Sequence, residues 1–113
     1  MSRLDRVAAL LRNEVASILQ HKVDDRRVGF ISVLGVKVSK DLEDAWIYYS
    51  QIGDEDAKQE TKRRLYQATP FVYAELCKAI PHMKRIPKIH FKFDDSLEKG
   101  VQLINRINQL DEE

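Results

Sequence analysis

Nine basic side chains fall within residues 58–92: Lys58, Lys62, Arg63, Arg64, Lys78, Lys84, Arg85, Lys88 and Lys92. Only Glu60 and Glu75 oppose them, so this stretch carries +7. Lys and Arg at that density suit phosphate oxygens, because each brings a fixed positive charge and several N–H donors. The same stretch contains Thr69-Pro70, where the missing N–H and fixed φ of proline predict an interrupted helix. A helix N-terminus beside an interruption offers free backbone N–H groups to an anion, although Pro70 itself donates none. Solvated surface charge is the competing reading, since charged side chains are exposed in any protein. A basic excess that spans both a helix interruption and the strand beyond it brings a nucleic-acid surface level with that reading, and the two stand as equal alternatives.

Other chemistry finds less support. His21, His82 and His90 are scattered, and Cys77 is the one cysteine. Neither metal-ligand spacing nor a disulfide follows from these, so no metal and no cofactor are expected. Cys77 shares an apolar helical face with Leu76 and Ile80, so a buried thiol is expected. Asp24-Asp25 and Asp94-Asp95 flank element boundaries, where cap or turn roles explain them better than acid–base catalysis. Gly-rich phosphate cradles and nucleophile motifs are missing from the sequence. Trp46, Tyr48 and Tyr49 could stack on bases, but packing in a sheet is the commoner use of such a cluster. The expectation is a non-catalytic protein.

The chain that must position the basic stretch has 113 residues, 43% hydrophobic and 33% charged, as expected for one soluble globular domain over 1–113. Its net charge of +1 hides strong polarity, because residues 1–36 carry +2 and residues 37–57 and 93–113 carry −4 each. No apolar run reaches the length of a membrane helix, and the N-terminus does not read as a signal peptide. A cytoplasmic setting is expected.

Leu4, Val7, Ala8, Leu11, Val15, Ile18 and Leu19 recur at helical spacing, predicting a helix from about Arg3 to Lys22. Phe30 to Val38 is strand-like, and its inward parity changes midway, so a bulge is expected near Gly35. A short polar turn, Ser39 to Asp44, leads to a second strand over Ala45 to Ile52, predicting an antiparallel hairpin. Gly53-Asp54-Glu55-Asp56 supplies a turn and cap for a helix from Ala57 to about Ala68. A second helix should follow Pro70 and stop before Pro81. Ile89, Phe91 and Phe93 alternate with His90 and Lys92 as a half-buried strand. Asp95 and Glu98 then suit the start of a last helix carrying Val101, Ile104, Ile107 and Leu110. The order α-β-β-α-(break)-α-β-α makes an α+β fold, a three-stranded sheet with helices on one face.

In this order the residues match a family pattern. The stretches are the first helix ending Ile18-Leu19-Gln20, then Asp25-Arg26-Arg27-Val28-Gly29, then Gly35-Val36-Lys37-Val38-Ser39-Lys40-Asp41-Leu42. Ala45-x-Ile47-Tyr48-Tyr49 follows, and then Arg85-Ile86-Pro87-x-Ile89-x-Phe91-x-x-Asp94-x-Ser96 with Gly100. Over about residues 3–104 the chain resembles the bacterial ribosome-binding factor A family. The resemblance implies a KH-like domain of the second topology. It further implies a non-catalytic assembly factor that binds the immature small (30S) subunit and assists late maturation and 5′-end processing of 16S rRNA, above all in cold adaptation. The family's Ala-x-Gly helix interruption falls on Ala68-Thr69-Pro70, so proline stands where glycine is usual.

The RNA-facing side implied by the resemblance, and by the charge, comprises Lys62, Arg63, Arg64, Gln67, Ala68, Thr69, Pro70, Tyr73, Lys78, Lys84, Arg85, Lys88, His90 and Lys92. Lys and Arg would meet phosphates, while Tyr73 and His90 would stack or hydrogen-bond. The expected partners are the small subunit and its 16S rRNA, with assembly GTPases in addition, no membrane, and a monomeric state. The alternative is a protein–protein adaptor that docks its basic surface on an assembly GTPase without recognising RNA directly.

Overall fold

Helix α1 spans Arg3–His21 and is fixed at its start by Ser2 and Asp5. Ser2 Oγ accepts from Asp5 N at 3.1 Å and the Asp5 carboxylate accepts from Ser2 N, which satisfies two otherwise orphaned donors. Its Leu11, Val15, Ile18 and Leu19 form the buried stripe that the spacing predicts. The computed structural model describes residues 2–25, 28 and 31–96, so the expected last helix beyond Ser96 lies outside the described residues.

Strands β1 (Ser32–Val38) and β2 (Asp44–Ser50) form the expected antiparallel hairpin. Val33 pairs with Tyr49 but Gly35 with Tyr48, so Leu34 is an extra residue and the bulge sits beside Gly35 as expected. The bulge explains why both parities of β1 look apolar. In the connecting turn, Asp41 Oδ1 accepts from Ser39 Oγ at 2.6 Å and from Glu43 N at 3.0 Å. Those bonds, the Ser39 hydroxyl first, hold the Asp41 carboxyl below the usual carboxylate range.

Strand β3 (Lys88–Phe93) pairs with β2 in parallel, giving the order β1-β2-β3. Parallel neighbours need a long crossover, and a single helix, α2 (Glu55–Ala79), provides it. Asp54 caps α2 by accepting from Ala57 N at 2.8 Å, and Glu55 and Asp56 complement the positive end of the helix dipole. Gly53 just before the cap has φ +148°, which favours glycine.

The expected break at Ala68-Thr69-Pro70 is corrected by the structure: α2 runs through Pro70 as one helix of 25 residues. Proline removes one hydrogen bond, its own to the carbonyl of Tyr66, and disturbs one turn. Leu65 before it and Val72 and Leu76 after it are fully buried in the same core, so packing holds both halves on one line. Thr69 Oγ1 adds a bond to Leu65 O at 2.8 Å. Cys77 is a second correction, for it is exposed. It follows Leu76, and the step of about 100° per helical residue carries it off the buried stripe of Thr61, Leu65, Val72 and Leu76.

Both helices contribute to a core on the sheet face of Ala45, Ile47 and Tyr49, completed by Val38, Ile80, Ile86 and Ile89. The architecture is α+β, a three-stranded sheet with both helices packed on one face. Among the described residues, no helix is long and apolar enough to cross a membrane.

Candidate nucleic-acid interface

Three side chains tie α2 to the sheet and to the segment that enters β3. Gln51 Nε2, just beyond β2, donates to Thr61 Oγ1 at 2.7 Å and to Ala57 O at 3.3 Å, seating the first turns of α2. The Lys58 ammonium lies 5.1 Å from the centroid of the Phe93 ring, a cation–π contact at the end of β3. Further along, the Tyr73 hydroxyl donates to Ile86 O at 3.1 Å, tying α2 to the segment that enters β3.

Between these ties a groove remains. Its α2 wall carries Gln59, Lys62, Arg63, Tyr66 and Thr69, and its other wall is Ile89, His90 and Phe91 of β3 over a floor at Tyr49. The cavity holds about 440 Å³. A second hollow of about 320 Å³ is lined by Tyr73, Arg85, Ile86 and Lys88, with Glu43 and Asp44.

The structure therefore divides the sequence-predicted residues. Lys62, Arg63 and Thr69 line the groove, as does His90 through its place in β3, and Tyr73, Arg85 and Lys88 line the second hollow. Arg64 points the other way. Its Nη1 donates to Asp25 Oδ2 and its Nε to Glu60 Oε1, both at 2.9 Å, which joins α2 to the chain leaving α1. These bonds, Asp25 first, raise the Arg64 pKa further above its ordinary value. Asp25 thus also makes an ion pair between elements. Gln67 and Pro70 are exposed and Ala68 half-buried, all outside the groove lining. Lys78 pairs with Glu75 at 3.6 Å near the end of the helix. Lys84 is exposed in the loop after α2.

His90 and Lys92 direct their side chains to the opposite sheet face. The register pairs Lys88 with Asp44, His90 with Trp46 and Lys92 with Tyr48, and these alternate with the core-facing Ala45, Ile47 and Tyr49. The His90 ring stacks on Trp46 at 5.8 Å, and its Nε2 lies 2.8 Å from Asp44 Oδ1. Tyr48 and Tyr49 are buried, so packing is their role.

Charge in the groove is graded. Arg63 is paired with Glu60, whose carboxyl the Arg63 and Arg64 bonds hold below the usual range. Lys62 has no ion pair among the described residues. Sequence reasoning missed Gln59 and Tyr66. The signal was available: Gln59, Lys62, Tyr66, Thr69 and Tyr73 recur at three and four residues, one stripe of a continuous helix. An expected break at Pro70 hid it. Among the described residues, no three His, Cys, Asp or Glu side chains cluster to hold a metal ion.

A family model described as ribosome-binding factor A matches residues 3–107. The ribosome-binding factor A of Geobacter sulfurreducens is 39% identical over 109 residues, covering 96% of this chain and 88% of that protein. That of Synechocystis sp. is 40% identical over 110 residues, covering 96% and 82%. The crystal structure of ribosome-binding factor A from Thermus thermophilus is similar with a TM-score of 0.69 at 24% identity, covering 80% of this chain and 96% of that one. A homology model of the Thermus factor, fitted into the cryo-EM map of a 30S–RbfA complex, gives 0.66 at 24% identity, covering 81% and 96%.

Proposed function

The chain belongs to the ribosome-binding factor A family, and on that premise we propose that it binds the immature small ribosomal subunit through 16S rRNA. It occupies the particle during late maturation and 5′-end processing and catalyses no step itself. The observation that carries this reading is the family membership, which extends over nearly the whole chain. The complex named for the Thermus relative points to the same subunit. The groove agrees with it: Lys62 and Arg63 meet phosphates along α2, with Arg85 and Lys88 beyond Tyr73. Such contacts set orientation on the RNA rather than sequence preference. Arg64 is left to the fold, and Lys78 and Lys84 add to the general positive field.

In this reading the protein is a cytoplasmic monomer that matters most in the cold, with assembly GTPases as further partners. Sedimentation tests the central claim. The protein should travel with free small subunits and not with translating ribosomes; equal distribution between the pools overturns it. The double substitution Arg63→Glu, Lys84→Glu should weaken binding to purified rRNA. Loss of GTPase binding with rRNA binding intact would favour the adaptor instead.

A further inference from the structure

One face of the sheet carries the core; the other carries Lys37, Trp46, Tyr48, His90 and Lys92. Tyr48 sits on the middle strand of that outer face, and only 4% of it is exposed, although it lies outside the core cluster. Its neighbours do not account for that burial. On β1 it faces Gly35, which has no side chain, and on β3 it faces Lys92, which is itself exposed. Along β2 its neighbours on the same face are Ser50 and Trp46, and the Trp46 ring is stacked on His90. A ring so placed is buried this far when another segment lies over it.

Two stretches outside the described residues border the sheet. Residues 26, 27, 29 and 30 flank Val28 and lead into Ile31, and both of these belong to the core on the helix side. Residues 97–113 follow Ser96, and the pairing of Tyr49 with Phe93 brings the chain out of β3 next to Tyr48. Asp94 and Ser96 are buried, so the chain stays against the protein as it leaves the strand. The length fits, since a helix of about 14 residues spans about 21 Å and strands of this kind about 23 Å. Val101, Ile104, Ile107 and Leu110 share one face of such a helix. The charge fits too: residues 97–113 hold four acidic and two basic side chains, and the outer face offers Lys37 and Lys92.

We propose that residues 97–113 fold back as an amphipathic helix across the outer face of the sheet, laying Val101, Ile104, Ile107 and Leu110 over Tyr48 and Trp46. The inference does not depend on the rRNA reading. A helix this short is marginal in water without a surface to pack on, and this face supplies one. His90 and Lys92 then border a strip covered by the protein's own chain, and partners are left to the helix side.

The test uses the full chain and two readouts: amide hydrogen exchange by mass spectrometry, and the emission of Trp46, the protein's one tryptophan. Amides of residues 101–110 should exchange at least about tenfold more slowly than in a free peptide of residues 97–113. Ile104→Asp with Ile107→Asp should remove that protection and shift Trp46 emission to the red, while the amides of α1 keep theirs. Tyr48→Ala should release the segment from the other side of the contact. Free-peptide exchange in the parent overturns the inference and leaves the face to an outside partner. Protection that survives Tyr48→Ala in a folded chain overturns it too, because the segment would then pack elsewhere. Protection that falls on dilution assigns the cover to a second copy and also overturns it. Should Tyr48→Ala fail to fold, the double substitution decides: a red shift upholds the inference and unchanged Trp46 emission overturns it.

Discussion

Arg63 and Arg64 are adjacent in sequence and serve opposite flanks of α2. On the β3 flank, Lys62 and Arg63 border an open groove with Tyr66. On the α1 flank, Arg64 closes a bridge to Asp25. Glu60 lies between them and accepts from both arginines. One helical step of about 100° separates a side chain available to a ligand from one consumed by the fold. A run of basic residues on a helix is therefore not one surface, and its members should be judged by flank.

The comparison breaks first at the groove. Lys62→Glu with Arg63→Glu should lower RNA affinity about 30-fold at 0.1 M salt and flatten the log–log salt slope by about 1.4, two single-strand contacts at about 0.7 each. Electrophoretic mobility shifts across a salt series would show it. If the slope does not move, the groove flank is not where phosphates sit.

Pro70 affects the helix that both flanks share. Pro70→Ala restores a donor for the Tyr66 carbonyl and should raise stability by about 1 kcal/mol, below the roughly 3 kcal/mol of an unadapted helix because this core already holds α2 through the proline. Thermal unfolding measures it, and a lowered midpoint would show that the turn at Pro70 has a geometry alanine cannot reproduce.

Arg64→Gln should do the reverse of the groove substitutions. It should lower the thermal midpoint by a few degrees, as a half-exposed bridge does, and leave RNA affinity unchanged. RNA binding that falls as far as in Lys62→Glu would erase the distinction between flanks.

The smallest effects belong to Glu60. Glu60→Gln releases Arg63 and should raise RNA affinity two- to threefold, about what an exposed ion pair is worth. The pH dependence follows from its lowered carboxyl. A carboxyl more acidic in the folded state binds fewer protons there than when unfolded. Its stabilisation is thus complete above the ordinary carboxylate range and is lost as pH falls through the depressed value. Acid unfolding of the parent should therefore be steeper than that of Glu60→Gln, and identical acid limbs would show that the pairing contributes nothing.

Much of this arrangement is legible along the chain. The apolar spacing of α1, the parity change at Gly35, the Asp54 cap and the alternation through Ile89, Phe91 and Phe93 each have a local physical cause, and each element stands where that cause puts it. Cys77 and Pro70 did not yield to the same reasoning. Apolar neighbours in sequence suggested a buried thiol, but helical phase rather than adjacency decides burial. Proline's local chemistry suggested a break, but Leu65, Val72 and Leu76 bury into one core on both sides of it.

The sequence by itself determined the types and order of α1, β1, β2 and β3, the capped start of α2, and the concentration of positive charge in residues 58–92, because periodicity, capping and charge are properties of neighbouring residues. Only the tertiary structure decided how that charge is shared out. Placing β3 parallel to β2 brings its edge beside α2, opens the groove at Lys62, Arg63 and Tyr66, and sends His90 and Lys92 to the other sheet face. That division depends on partners distant along the chain, such as Asp25 with Arg64 and Ile86 with Tyr73. No local pattern encodes which flank of a helix a distant segment will occupy.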